Sequence, residues 1–138
     1  MKKSLPTLAL ALALAFSAGS VLAADPDFVK DIAPILEASC VKCHNSTKSK
    51  GKLNMETKEA AMKGGKEAGD KFIIAGKPDD SVMIKSILLP EDEDEAMPPK
   101  DKAPRPDAAQ LALLKAWIAA GAVWPDGVKL KVPAADAK

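Results

Sequence analysis

Cys40-Val41-Lys42-Cys43-His44 holds both cysteines of the chain and its only histidine. Two thiols separated by two residues and followed at once by an imidazole form the C-x-x-C-H spacing of c-type haem attachment. The physical basis is geometric. Thiols at i and i+3 lie on one side of a helical turn, so each can add to one vinyl group of the same haem. The next residue then projects its imidazole onto the iron from that face. The pattern nominates Cys40 and Cys43 as thioether sites and His44 as the proximal iron ligand.

Three other chemistries use similar residues. A structural zinc ion needs four ligands, mostly Cys or His. This chain offers three, and two of them, Cys43 and His44, are adjacent. A thioredoxin-like redox pair also uses C-x-x-C, but the chain shows no βαβ alternation. A structural disulfide between Cys40 and Cys43 would close a tiny loop with little entropic benefit.

The opposite iron face is a separate question. With one histidine, bis-His ligation within the chain is impossible. A methionine thioether is the usual partner of His in such sites and raises the reduction potential. Its soft sulfur suits Fe(II) better than Fe(III). Met55, Met62, Met83 and Met97 follow the N-terminal segment. Met97 is the nominee, because its proline-rich loop lies far enough from His44 to approach the other haem face. Pro98 restricts the Met97 backbone to extended forms, and Pro98 with Pro99 stiffens the loop. Met83, or an iron that is open or lysine-ligated, remains an alternative. Met55 and Met62 read as packing residues flanking a helix.

These residues need elements to hold them. Phe28, Ile32, Ile35 and Leu36 fall on one helical face, so a helix or two short ones should deliver Cys40 and Cys43, interrupted or kinked at Pro34. "NSTKSKGK" reads as a polar loop. Thr57 should cap a short helix that ends at Gly64 or Gly65. "KFIIAGKPDD" reads as an extended piece and a turn. Asp80 or Ser81 should cap a helix reaching Leu88, with Pro90 beyond its end. From Pro90 to Pro106, five prolines and the acidic run Glu91 to Glu95 predict a long loop. The final helix carries a capping box, Asp107 with Gln110, and an apolar face of Leu111, Leu114, Trp117 and Ile118, and Gly121 can end it. The fold class is mainly α.

The chain has 138 residues, enough for one domain. Lys2 and Lys3, the apolar run Leu5 to Phe16 and the small residues Ser17 to Ala23 have the layout of a secretory signal peptide. The expected organisation is a signal peptide over 1–23, cut after Ala23, a domain over 24–130, and a frayed tail over 131–138. The apolar run is short for a membrane span, so no stable membrane insertion is expected after cleavage. The processed chain has 18 basic against 19 acidic residues, which argues against a nucleic-acid binder. The precursor has five aromatic residues, so a bulky bound group would contribute much to so small a core.

The stretches "FVKDIAPILEASCVKCHN", "KGKLNM", "AGKPDDSVM", "AMPP" and "LLKAWIAAGAVWP" together resemble the planctomycete-type cytochrome c domain, a branch of the monohaem c-type cytochromes. The resemblance covers most of Phe28 to Pro125. It implies a small helical fold wrapped around one covalent haem c, with Cys40 and Cys43 as thioether sites, His44 as proximal and Met97 as distal ligand. One departure is Gly51-Lys52-Leu53, where the family often has Gly-Gly-Leu. The expected function is a periplasmic, monomeric electron carrier between redox partner proteins, not an enzyme. The alternative is a haem-based sensor or small-ligand binder with an open or labile sixth site. Trp117 and Trp124 are candidates for packing on the haem or in the plain core. Arg105 is a candidate for a haem propionate or for solvent. The run Glu91 to Glu95, and Lys42, Lys48, Lys50 and Lys52, are candidate docking patches.

Overall fold

The computed structural model describes residues 24–134. The signal peptide expected over 1–23, and the last four residues of the expected tail, lie outside the described residues. Among the described residues the chain is helical, with no strand beyond an isolated antiparallel bridge between His44 and Ser49.

Helix α1 is a continuous helical run over 28–41, made of Phe28–Ile32, Ala33–Leu36 and Glu37–Val41. Asp27 starts it by accepting from the Lys30 amide, and its own amide donates to the Asp31 carboxylate, both at 2.8 Å. Pro34 does not break the run. The winding is wider on both sides of it: the Ala33 amide donates to Phe28 O, five residues back. A five-residue bond of this kind lets the helix pass a residue that has no amide to give. Phe28, Ile32, Ile35 and Leu36 are all buried, as their spacing predicts.

Helix α2, Lys58–Lys63, is capped by Thr57, whose side chain accepts from the Ala60 amide, and ends at Gly64 with φ +70°. Helix α3 spans Val82–Leu88. Ser81 precedes it but does not cap it with its side chain. Instead its hydroxyl donates to Lys77 O and accepts from the Ile74 amide, each at 2.9 Å. That double bond closes the turn ahead of α3, so the helix starts from a fixed corner rather than from a conventional cap.

Helix α4, Ala108–Ala119, has the expected capping box between Asp107 and Gln110. At its other end the Gly121 amide donates to Ile118 O and the Ala122 amide to Trp117 O. This is the Schellman pattern, and Gly121 has the positive φ, +108°, that it requires. Leu114, Trp117 and Ile118 are buried, with Leu111 at the edge. Full burial of each such side chain is worth about 1.5–3 kcal/mol.

The core lies where α4 backs onto the start of α1 and onto α3. Phe28, Trp117 and Trp124 meet there, with ring centroids 4.4 to 6.4 Å apart. Both indole N–H groups are satisfied, Trp117 by Val123 O at 2.8 Å and Trp124 by Val128 O at 2.9 Å. The chain stays docked slightly past the boundary expected at 130: the Lys131 amide donates to the Glu37 carboxylate, and Val132 packs on the core. The end of α1, helix α3, the segment 65–72 and the loops 42–57 and 89–107 together shape a cavity.

Candidate functional site

Cys40 lies in the last turn of α1. The amides of Cys43 and His44 both donate to Cys40 O at 3.1 Å, which winds the five-residue motif into one tight turn. Both cysteines are free thiols and partly buried. Burial, reinforced by the neighbouring Cys43, pushes the Cys40 thiol up to about 12. The described residues contain no group of three or more His, Cys, Asp or Glu side chains placed to hold a metal ion.

His44 is held by its own loop. Its Nδ1 lies 2.9 Å from Lys50 O. A carbonyl can only accept, so Nδ1 carries the proton and the lone pair sits on Nε2. Burial lowers the His44 pKa, opposed by hydrogen bonds to the Lys50 and Leu53 backbone. A neutral ring of defined tautomer is the form that binds a metal, and a backbone carbonyl on the far nitrogen is the usual way to fix it.

Asn45 organises the turn, a role that sequence reasoning missed. It is buried at 1 % exposure. Its amide group donates to Val41 O at 2.8 Å and Lys42 O at 3.3 Å, and its oxygen accepts from the Thr47 and Lys48 amides. One side chain thus joins the end of α1 to the loop that brings Lys50 back to His44. The available signal was the Asn-Ser-Thr sequence, which favours side-chain-closed turns.

Cys40, Cys43, His44 and Met97 all line one largely apolar cavity that opens to solvent. Leu53, Phe72, Val82, Ile87, Pro98 and Pro99 contribute apolar wall, and Lys50, Glu67 and Lys102 are the charged residues of the lining. The rim is tight where two loops cross: Lys66 N–H donates to Gly51 O at 2.8 Å. A Cβ on Gly65 would come within 2.6 Å of that oxygen, so this crossing needs glycine.

Met97 is half-buried, and its amide donates to Ser86 O of α3 at 3.0 Å. The Met97–Pro98 peptide bond is cis. Met83 lines the same cavity, and so does Met55. Met55 was expected only to pack beside a helix. It lies ahead of the Thr57 cap, and its amide donates to His44 O at 2.9 Å, which draws it into the wall. Met62 is not in the cavity lining and packs on the core. Neither tryptophan lines the cavity; both belong to the aromatic cluster with Phe28. Arg105 faces neither the cavity nor open solvent. Its guanidinium is bonded to main-chain carbonyls.

The donor set fits a covalently held haem: two thiols and a tautomer-fixed imidazole on one turn, a thioether in the same lining, and apolar wall between. Residues 40–101 match the family of planctomycete cytochromes c. The matched segment contains Cys40, Cys43, His44 and Met97 and ends before Arg105 and α4. No curated protein and no solved structure matches the chain. The planctomycete cytochrome c match agrees with the resemblance read from the motifs, though over a shorter stretch than Phe28 to Pro125. The mainly helical architecture is consistent with a small cytochrome-like domain.

Proposed function

We propose that the protein is an exported monohaem c-type cytochrome that carries single electrons between redox partner proteins. The observation that carries this reading is the single cavity that takes Cys40, Cys43, His44 and Met97 into its lining. Bound haem supplies a one-electron iron couple. The chain's residues hold and tune it. Cys40 and Cys43 would hold the haem covalently through their sulfurs. His44 is the proximal ligand, its ring oriented by Lys50 O. Met97, in the same lining, would offer its thioether as the second ligand to the iron. The apolar wall would limit how much water reaches a bound haem, though the cavity is open at its mouth.

Export follows from the same chemistry, since c-type haem is attached outside the cytoplasmic membrane. No helix among the described residues is long and apolar enough to cross a membrane. The exposed run Glu91 to Glu95 is the nearest charged surface in sequence to Met97 and offers a docking patch for a basic partner.

The test is expression of the full chain with a haem-attachment system. The expected product starts at Ala24, keeps its haem through denaturation, and shows the far-red band of Met–Fe(III) ligation, lost in Met97→Ala. No covalent haem would sink the proposal. Rapid CO binding by the native reduced protein would instead favour the sensor or ligand-binding alternative.

A further inference from the structure

Arg105 is the only arginine of the chain, and its side chain is 20 % exposed. Its Nη2 donates to Ile87 O at 2.6 Å and to Leu89 O at 2.8 Å, and its Nη1 donates to Pro98 O at 3.4 Å. Nε lies 4.0 Å from the Glu91 carboxylate. Two of these carbonyls belong to the end of α3, where acceptors lack helical partners and a cation is favoured. The third is the carbonyl of the residue that follows Met97. Both Nη2 hydrogens are therefore committed to the main chain, and the guanidinium cannot offer its paired terminal nitrogens to a carboxylate. This is not how an arginine would be used to grip a propionate, nor is it a solvent-facing arginine.

The connected segments explain the arrangement. Met97 N–H is already tied to Ser86 O. Arg105 adds a second tie one residue later, and it reaches from the residue pair that leads into α4. Pro98 and Ile87 themselves line the cavity, as does Pro106, next to Arg105. We infer that Arg105 is the positioning residue that holds the Met97 segment against the cavity, by joining the end of α3, the Met97-Pro98 link and the entry to α4 through one planar cation. The inference rests on the reading in which Met97 is the distal ligand. A thioether–iron bond is weak, so its persistence depends on how little the loop can move away. A lysine keeps the charge at the end of α3 but has no planar fork to span three carbonyls.

The experiment compares the full haem-bearing protein with Arg105→Gln and Arg105→Lys. Three quantities are read: the far-red Met–Fe(III) band, the rate of CO binding to the reduced protein, and the denaturant midpoints for loss of the band and of helix. Both variants should keep covalent haem. In Arg105→Gln, CO binding should accelerate about tenfold, the effect of loosening roughly one net hydrogen bond on the loop. The band should also disappear at lower denaturant than the helical signal. Arg105→Lys should restore part of both properties, and it carries the same test if the glutamine chain does not fold. CO rates within about twofold of wild type, the scatter of ordinary surface substitutions, or band and helix lost together, would overturn the assignment. A wild-type protein that holds covalent haem but lacks the far-red band would overturn the Met97 reading itself, and the Arg105 role with it.

Discussion

The wall that carries Cys40, Cys43 and His44 closes on itself through neighbours in sequence, whereas the wall that carries Met97 is assembled from separate parts of the chain. On the first wall, Asn45 reaches Val41, Lys42, Thr47 and Lys48, and His44 reaches Lys50, six residues on. On the second, Met97 leans on Ser86 of α3, and the next carbonyl is held by Arg105, which spans 16 to 18 residues to Ile87 and Leu89. The first wall is a local motif with a buried hub. The second has its ties made across the tertiary structure, and the acidic run ahead of Met97 is exposed throughout. The difference fits the two tasks proposed for these walls. Attachment needs two thiols and an imidazole in a fixed register before any cofactor arrives. A distal thioether needs only to be pressed into place, and its hold can be tuned from a distance.

The largest expected effect separates the walls outright. Cys40→Ala with Cys43→Ala should abolish covalent haem, so that acid–acetone extracts whatever remains bound. Met97→Ala should retain all of its haem through the same extraction. If Met97→Ala also lost covalent haem, the loop wall would be needed for attachment and the division of labour would fail.

Next comes Asn45→Ala. It strips the buried Val41 carbonyl and the Thr47 and Lys48 amides of their partner. The Thr47 and Lys48 residues are exposed and their amides can turn to water, so the loss comes mainly from the buried Val41 carbonyl, at about 1–3 kcal/mol. Denaturant melts of the haem-bearing protein should show that loss, with the far-red band of the folded state unchanged. A loss of the band without a loss of stability would mean that the hub of the first wall controls the second.

How much of this could be read from sequence differs in the same way between the walls. C-x-x-C-H is a spacing rule, and the helix that delivers it followed from the period of Phe28, Ile32, Ile35 and Leu36. The caps of α2 and α4 were also legible, because Thr57 and the Asp107–Gln110 pair act on amides three residues away. Met97 could be nominated only by its place in a proline-rich loop. Nothing in the sequence links it to Ser86 or Arg105, since those bonds exist only once α3 and α4 have packed. Arg105 shows the limit well. Its chemistry suggested a carboxylate or solvent, while its neighbours supply three carbonyls. Ser81 is a smaller instance, a residue type that caps helices but here closes a turn through Lys77 and Ile74. Pro34 is the reverse case, a predicted interruption that wider winding absorbs.

Asp107→Ala acts at the base of the second wall, two residues beyond Arg105. It removes the N-cap of α4 and should cost about 1 kcal/mol, seen as a lower denaturant midpoint. Because the Arg105 bonds do not use the cap, the rate of CO binding should stay near that of wild type. A rate that rises as far as in Arg105→Gln would show that the entry to α4 as a whole, rather than the guanidinium, positions Met97.

The smallest effect is expected at Lys115, whose ammonium lies 2.7 Å from the Asp79 carboxylate. The pair links α4 to the turn Pro78–Asp80 that leads into α3, so it braces the second wall from outside. Both side chains are well exposed, at 38 % and 77 %. Exposed pairs of this kind are worth roughly 0.2–1 kcal/mol, and 1 M salt reduces the screening length to about 3 Å. Lys115→Ala should therefore lower stability only slightly at low salt and not measurably at 1 M salt, with the far-red band intact in both. A salt-dependent loss of the band would show that surface charge, and not the backbone ties at Ser86 and Arg105, holds the loop wall in place. The contrast between a wall closed locally and a wall clamped through the tertiary fold would then have to give way to one in which the Met97 side is set by ionic strength.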